Sequence, residues 1–296
     1  MRPFDLVAFD GDDTLWHNER HYRDGRERFH TILREAGFDV DAQRLDEVVD
    51  RTEVHNIEYF GYGVSGFTLS LIEAAVVLTG GEIGGRAIEQ IVSLAKGMLT
   101  TEIELFPSVR STIASLSRRY PLMLITKGDL LHQRSKLSRS GLEPYFRYVE
   151  VVSRKTPDVY DVILTRHRVK PERFLMIGNS LRSDILPVVA LGARAVYIPA
   201  SLSWSHEHAE PTAAARRRYF ERKSMRQLEQ FIESLGTTRV ASGKPDAAGV
   251  AHKKTATEKA ARAARAGRVV ASSKADKKGR SRKPVTSGKP PRVTRR

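Results

Sequence analysis

The chain has 296 residues, 40 % of them apolar and 29 % charged, so it is long enough for one or two domains with a buried core and too apolar to be disordered throughout. It has no cysteine, which excludes disulfides, thiolate metal sites and cysteine nucleophiles. A net charge of +15 would point to a nucleic-acid or membrane-surface binder if it were evenly spread, but residues 239–296 hold 18 Lys/Arg against 3 Asp/Glu, the first 238 residues are neutral, and residues 17–104 within them hold 9 basic against 16 acidic side chains.

The N-terminal MRPFDLVAF runs straight into a strand expected over Asp5–Phe9, with no apolar signal-type segment ahead of it, so a cytoplasmic location is the default. Three carboxylates follow within four positions: Asp10, Asp12 and Asp13. Residues 17–104 then read as four amphipathic helices, carried by Phe29, Leu33 and Ala36 with a stop at Gly37, by Leu45, Val48 and Val49, by Leu69, Ile72, Ala75 and Val76, and by Ile88, Ile91, Val92 and Ala95. The apolar run Leu69–Leu78 is interrupted by Glu73 and is about half the length needed to cross a bilayer, so no membrane span is expected.

Four further strands are expected over Leu122–Ile125, Tyr148–Val152, Arg173–Ile177 and Ala193–Ile198, each apolar on both faces as in a covered parallel sheet. Pro107 suits the first turn of a helix continued by Val109, Ile113 and Leu116. A last helix begins at the capping-box pair Ser224 and Gln227, shows Leu228, Phe231, Ile232 and Leu235 on one face, and stops at Gly236. Residues 237–296, rich in Lys, Arg, Ala, Ser, Gly and Pro and without an aromatic, are expected to be a disordered basic tail. His206 and His208 have no third ligand at convincing spacing and are expected on a surface loop.

The acidic cluster falls at the C-terminal end of a buried strand, where open α/β sheets bind their ligands. Like charges there repel unless a cation is present, and a carboxylate pair can bind Mg²⁺ through hard oxygens while one of its members serves as a nucleophile. The next strand ends carry Thr126, Lys127 and Gly128, then Lys155, then Gly178, Asn179 and Ser180 with Asp184 following. Acid, hydroxyl, lysine and acid thus recur in chain order.

These residues resemble the four motifs of the haloacid dehalogenase-like (HAD) hydrolase superfamily: Asp-x-Asp-x-Thr at Asp10, Asp12 and Thr14, the hydroxyl at Thr126, the lysine at Lys155 and the acid at Asp184. The resemblance covers residues 4 to about 235. It implies an α/β fold, a doubly wound parallel-sheet Rossmannoid core (1–16 and 105–236) with a helical-bundle cap (17–104) inserted between the first two motifs, followed by the tail (237–296). It also implies that Asp10 attacks phosphorus, Asp12 acts as acid and base, Thr126 and Lys155 contact the phosphoryl group, and Mg²⁺ is held by Asp10, the Asp12 carbonyl and Asp184.

Thr14, Gly128, Asn179, His17 and Tyr62 are further candidates for substrate contact, and YFGYGVSGF at 59–67 reads either as a mobile substrate loop or as a packed aromatic junction. Two positions depart from the family pattern: Asp13 stands where Gly is usual, and Asn179 where Asp is common. Asp13 is expected to be a solvated loop residue in left-handed backbone.

Because the metal-free dehalogenase branch lacks an acid at the position of Asp12, the expected activity is phosphatase action on a small phosphorylated metabolite. Phosphomutase, phosphonatase and dehalogenase chemistry are the alternatives, the phosphonatase requiring Lys96, the only lysine in 17–104. A degenerate core whose tail makes non-specific nucleic-acid contacts is the alternative outside enzymes. Oligomeric state is not readable.

Overall fold

In the strand Leu6–Phe9 (β1), Leu6 and Ala8 join one apolar cluster and Val7 and Phe9 another, as expected of a strand covered on both faces. The computed structural model describes residues 2–202, 204, 207 and 209–237. The remaining strands are Leu122–Lys127 (β2), Tyr148–Val152 (β3), Phe174–Gly178 (β4), Arg194–Tyr197 (β5) and Tyr219–Glu221 (β6), in the order β3-β2-β1-β4-β5-β6. All pairings are parallel. The reversal of strand order beside β1 puts the ends of β1, β2 and β4 around one crevice.

Helices Val109–Ser117 (α5) and Leu228–Thr237 (α8) cover the face shown by Val7 and Phe9, and Pro157–Arg166 (α7) covers the face shown by Leu6 and Ala8. Leu130–Arg139 (α6) follows β2 directly. Between β1 and α5 run four helices, Glu19–Glu35 (α1), Ala42–Phe60 (α2), Val64–Leu78 (α3) and Gly85–Thr100 (α4), which share their own apolar cluster around Phe29, Leu33, Val49, Phe67, Leu71 and Ile91. The two segments joining them to the sheet lie antiparallel, with His17 N–H donating to Glu104 O (3.0 Å) and Phe106 N–H to Leu15 O (3.0 Å). Among the described residues no helix is long and apolar enough to cross a membrane.

Several local expectations change. Pro107 precedes α5, which starts at Val109 behind Ser108 in left-handed backbone (φ 66°). Ser224 makes no capping bond; Gln227 reaches back to Lys223 N–H instead (3.1 Å). α8 continues through Gly236 to Thr237. α3 buries Phe67, Leu71, Ala74 and Ala75 and leaves Leu69 and Val76 exposed, because a helix apolar on nearly every side has no single stripe for periodicity to select. The strand β6 was too short and mixed to register as one. Apart from Thr237, the tail expected over 237–296 lies outside the described residues, as do His206 and His208.

Candidate active site

Asp10, the first residue past β1, is buried and fixed from behind by its N–H, which donates to Ile177 O (2.9 Å). Lys155 Nζ donates to Asp10 Oδ1 (2.5 Å) and to Asp184 Oδ1 (2.7 Å), while Asp184 Oδ2 accepts from Ser180 N–H (3.0 Å). This buried group holds two carboxylates against one ammonium. Burial, with the Asp184 charge, pushes the Asp10 carboxyl up to about 7 against the pull of Lys155. Burial opposes the Lys155 charge, but the two carboxylates outweigh it and raise its pKa well above the ordinary lysine value.

Asp10 follows β1, Lys155 follows β3, and Ser180 and Asp184 follow β4. Asp184 sits in a π-helical turn, Leu181–Ile185, that doubles its carboxylate back against Gly178 at the end of β4. With its amide nitrogen turned inward, Asn179 donates to Asp10 Oδ2 and the Asp12 carbonyl (both 3.2 Å) and to Thr14 Oγ1 (3.1 Å). The Thr126 hydroxyl, inside β2 rather than beyond it, is buried and has no hydrogen-bond partner among the described residues.

These side chains open into a cavity of about 220 Å³ lined by Asp10, Asp12, Thr126, Lys155, Asn179 and Asp184 on the sheet side and by residues of α1, α2 and α3 opposite. Tyr62 lines it too, its ring over Lys127 Nζ at 4.2 Å.

Other sequence candidates fall elsewhere. Thr14 is buried against Asn179 and is not part of the lining. Gly128, at φ 128°, clears room for Gln133, whose Nε2 would sit 3.0 Å from a Cβ there. His17 packs on Phe106 (3.9 Å between ring centroids) beside Glu104, outside the lining. The 59–67 stretch divides: Tyr59 and Phe60 are exposed, Tyr62 faces the cavity, and Phe67 is buried against Tyr22 (4.9 Å). Lys96 is exposed on α4, outside the lining, so the cavity holds no lysine from residues 17–104 for the phosphonatase alternative.

Asp13 adopts the left-handed backbone expected (φ 58°), but it is not simply solvated. Its carboxylate accepts from Asn18 N–H (2.9 Å) and Glu19 N–H (3.0 Å), capping α1 in place of Asn18, which makes no capping bond of its own. Burial raises it to about 6.

The haloacid dehalogenase-like hydrolase family matches residues 4–192, well over half of the chain. The chain belongs to this family. Among similar proteins, this hydrolase is 26 % identical over 213 residues to the glyceraldehyde 3-phosphate phosphatase of Methanothermobacter thermautotrophicus, covering 67 % of this chain and 86 % of that one. It is 25 % identical over 128 residues to the human N-acylneuraminate-9-phosphatase, covering 42 % and 52 % respectively. The crystal structure of a haloacid dehalogenase-like family hydrolase from Xanthomonas campestris superposes with a TM-score of 0.69 at 39 % identity, over 79 % of this chain and 92 % of that one.

The hydrolase surrounds Asp12 with residues that sequence patterns did not single out. Lys136 Nζ donates to both Asp12 oxygens (2.7 and 2.9 Å), Gln133 Nε2 to Oδ2 (2.9 Å) and Trp16 Nε1 to Oδ1 (2.6 Å). Burial works to raise the Asp12 carboxyl, but these donors, Lys136 above all, hold it below the ordinary value. Lys136 also reaches Asn18 Oδ1 (2.8 Å). The only signal in the sequence was a lysine on the inner side of a short helix.

Removing Lys136 strands a largely buried carboxylate, so Lys136→Met is expected to cost about 3–5 kcal/mol. The added change Asp12→Asn should return part of that loss, with a coupling of about 1–3 kcal/mol in a denaturant double-mutant cycle. Additive effects would show that the pair contributes nothing jointly.

Proposed function

We propose that this hydrolase is a Mg²⁺-dependent phosphatase that cleaves a small phosphomonoester through an aspartyl-phosphate on Asp10. The observation that carries the reading is the buried Asp10–Lys155–Asp184 group, two carboxylates on one ammonium, facing a cavity in which the Thr126 hydroxyl has no partner among the described residues. The curated relatives named as phosphatases support the same class.

Lys155, bound to Asp10 Oδ1, orients that carboxylate so that Oδ2 is the attacking oxygen, and its charge attracts the phosphoryl oxygens. Thr126 donates its free hydrogen bond to the phosphoryl group. Asp12 gives a proton to the leaving alkoxide and takes one from the water that cleaves the aspartyl-phosphate, a pair of roles typically contributing about 10²- to 10⁴-fold each. Gln133 and Trp16 orient Asp12, and Lys136 favours the ionised form that the second step requires.

The donor set suits Mg²⁺, which takes one or two carboxylates and keeps several waters. Asp10, the Asp12 carbonyl and Asp184 are hard oxygens, and the surplus negative charge of the Asp10–Lys155–Asp184 group is what a cation offsets. Asn179 adds no charge there, and among the described residues no three acidic or imidazole groups form a metal cluster, so Asp10, the Asp12 carbonyl and Asp184 are the groups that would hold the ion. When bound, the ion supplies positive charge against the phosphoryl oxygens.

We further propose the division into a sheet core (1–16 and 105–236) and a substrate-selecting helical cap (17–104), hinged at the antiparallel pair of segments beside Trp16 and Leu105. Hydrolysis of p-nitrophenyl phosphate is expected with Mg²⁺, to disappear in EDTA and to return on adding Mg²⁺. Turnover that persists in EDTA would remove the metal from the reading, and none under any condition would remove the phosphatase.

A further inference from the structure

Seven carboxylates line the cavity against three cations. Each cation is already engaged: Lys155 with Asp10 and Asp184, Lys127 with Glu207 (2.5 Å), and Arg26 with Asp50 (2.6 Å) and Glu53 (2.8 Å). The wall opposite the sheet combines apolar surface from Ile57 and Phe67 with the polar atoms of Glu19, Glu53 and Tyr22. Among the described residues no hydrogen-bond donor reaches the Glu19 carboxylate, and the Tyr22 hydroxyl has no hydrogen-bond partner.

A second anion on the substrate would therefore meet acid on the wall, where each cation of the lining is already paired. The site instead offers acceptors beside apolar surface, the complement of a small unit with hydroxyl donors on a carbon chain. At about 220 Å³ the cavity falls below the roughly 300–1,000 Å³ of typical ligand sites, which leaves room for a phosphoryl group and only a few carbons.

We propose that the alcohol released by this hydrolase is a small, uncharged polyol or sugar unit whose hydroxyls are read by Glu19, Glu53 and Tyr22, and that phosphomonoesters bearing a carboxylate or a second phosphate are rejected. This rests on the phosphatase reading and narrows it to one substrate class. Burial, with Asp13 and Glu53 nearby, raises the Glu19 carboxyl to about 7, so near neutral pH it can both donate to and accept from a hydroxyl.

The test uses the full chain with Mg²⁺ and compares sn-glycerol 3-phosphate, 3-phosphoglycerate and O-phosphoethanolamine, with p-nitrophenyl phosphate as the reference. The first two differ in whether the far carbon is a hydroxymethyl or a carboxylate. We expect kcat/KM for glycerol phosphate to exceed that for phosphoglycerate by at least about tenfold and to exceed that for phosphoethanolamine. Glu19→Lys should reduce or invert the first ratio by about tenfold, chiefly through KM.

Equal or better use of phosphoglycerate by the parent, alongside turnover of the aryl phosphate, would overturn the substrate assignment while leaving the phosphatase intact. Preference for phosphoethanolamine would replace the hydroxyl with an ammonium and overturn it as well. A ratio unmoved by Glu19→Lys in a folded variant would remove Glu19 from the recognition. Failure of every ester, aryl phosphate included, would overturn the underlying reading instead.

Discussion

In Asp10→Asn, aryl phosphate hydrolysis is expected to fall by roughly 10⁴- to 10⁶-fold, the scale seen when a covalent nucleophile is removed, while the protein in EDTA melts no lower than the parent. The two halves of this result share one cause. Asp10 and Asp184 face a single ammonium, so the folded protein carries a buried surplus of negative charge that Asn removes, while its Oδ1 still accepts from Lys155. The Asp10 carboxyl titrates at about 7 in the fold against 3.8 as its ordinary value, so the folded state holds the proton more tightly over that interval. Stability contributed by this group consequently declines as pH rises from about 4 through 7, and the melting advantage of Asn should be larger at pH 8 than at pH 5.

Lys155→Met should lose activity on a similar scale and also melt lower, because it leaves two buried carboxylates unpaired. The cost of about 3–5 kcal/mol corresponds to roughly 6–20 °C in a domain of this size. Equal melting losses in both variants would show that the group is balanced rather than short of positive charge.

The sheet and the grouping of the candidate residues at its strand ends were legible because both depend on short-range patterns. Apolar runs of four to six residues marked the covered strands, and Asp10, Thr126, Lys155 and Asp184 stand at or just beyond strand ends that the strand order gathers around one crevice. What escaped was set by contacts between elements. The buried face of α3 is chosen by α2 and α4, since its own sequence is apolar almost all round. Asp13 differs from a loop residue only through two N–H groups five and six positions later.

Lys136 and Gln133 matter because α6 brings them to Asp12, more than 120 positions away in the chain. Glu207, which accepts from Lys127, Ser180 and Ser183, likewise comes from a segment with no periodic signal. Thr14 matched a motif, yet what it touches is Asn179, itself the departure from the fourth motif.

Gly178 shows how a motif glycine can serve a packing need rather than a conformational one. Its φ is not in the left-handed region, so its backbone would accept any residue; what excludes a side chain is Asp184. A Cβ at position 178 would stand 2.6 Å from Asp184 Cβ and closer still to Cγ and Oδ2, and Asp184 cannot retreat because Lys155 and Ser180 N–H hold its two oxygens. Gly178→Ala is therefore expected to displace the carboxylate, lowering activity by about 10²-fold or more, as an ångström of misplacement does in a preorganised site, and lowering stability by about 1–3 kcal/mol from overpacking.

If the damage runs through that one side chain, Asp184→Gly should absorb it. In the Asp184→Gly background, where Cβ, Cγ and both oxygens are gone, adding Gly178→Ala should lower the melting temperature far less than it does in the parent. An undiminished loss would place the constraint in the β4 backbone, whose Gly178 carbonyl accepts from Ile198 N–H (3.0 Å), and not in the acid.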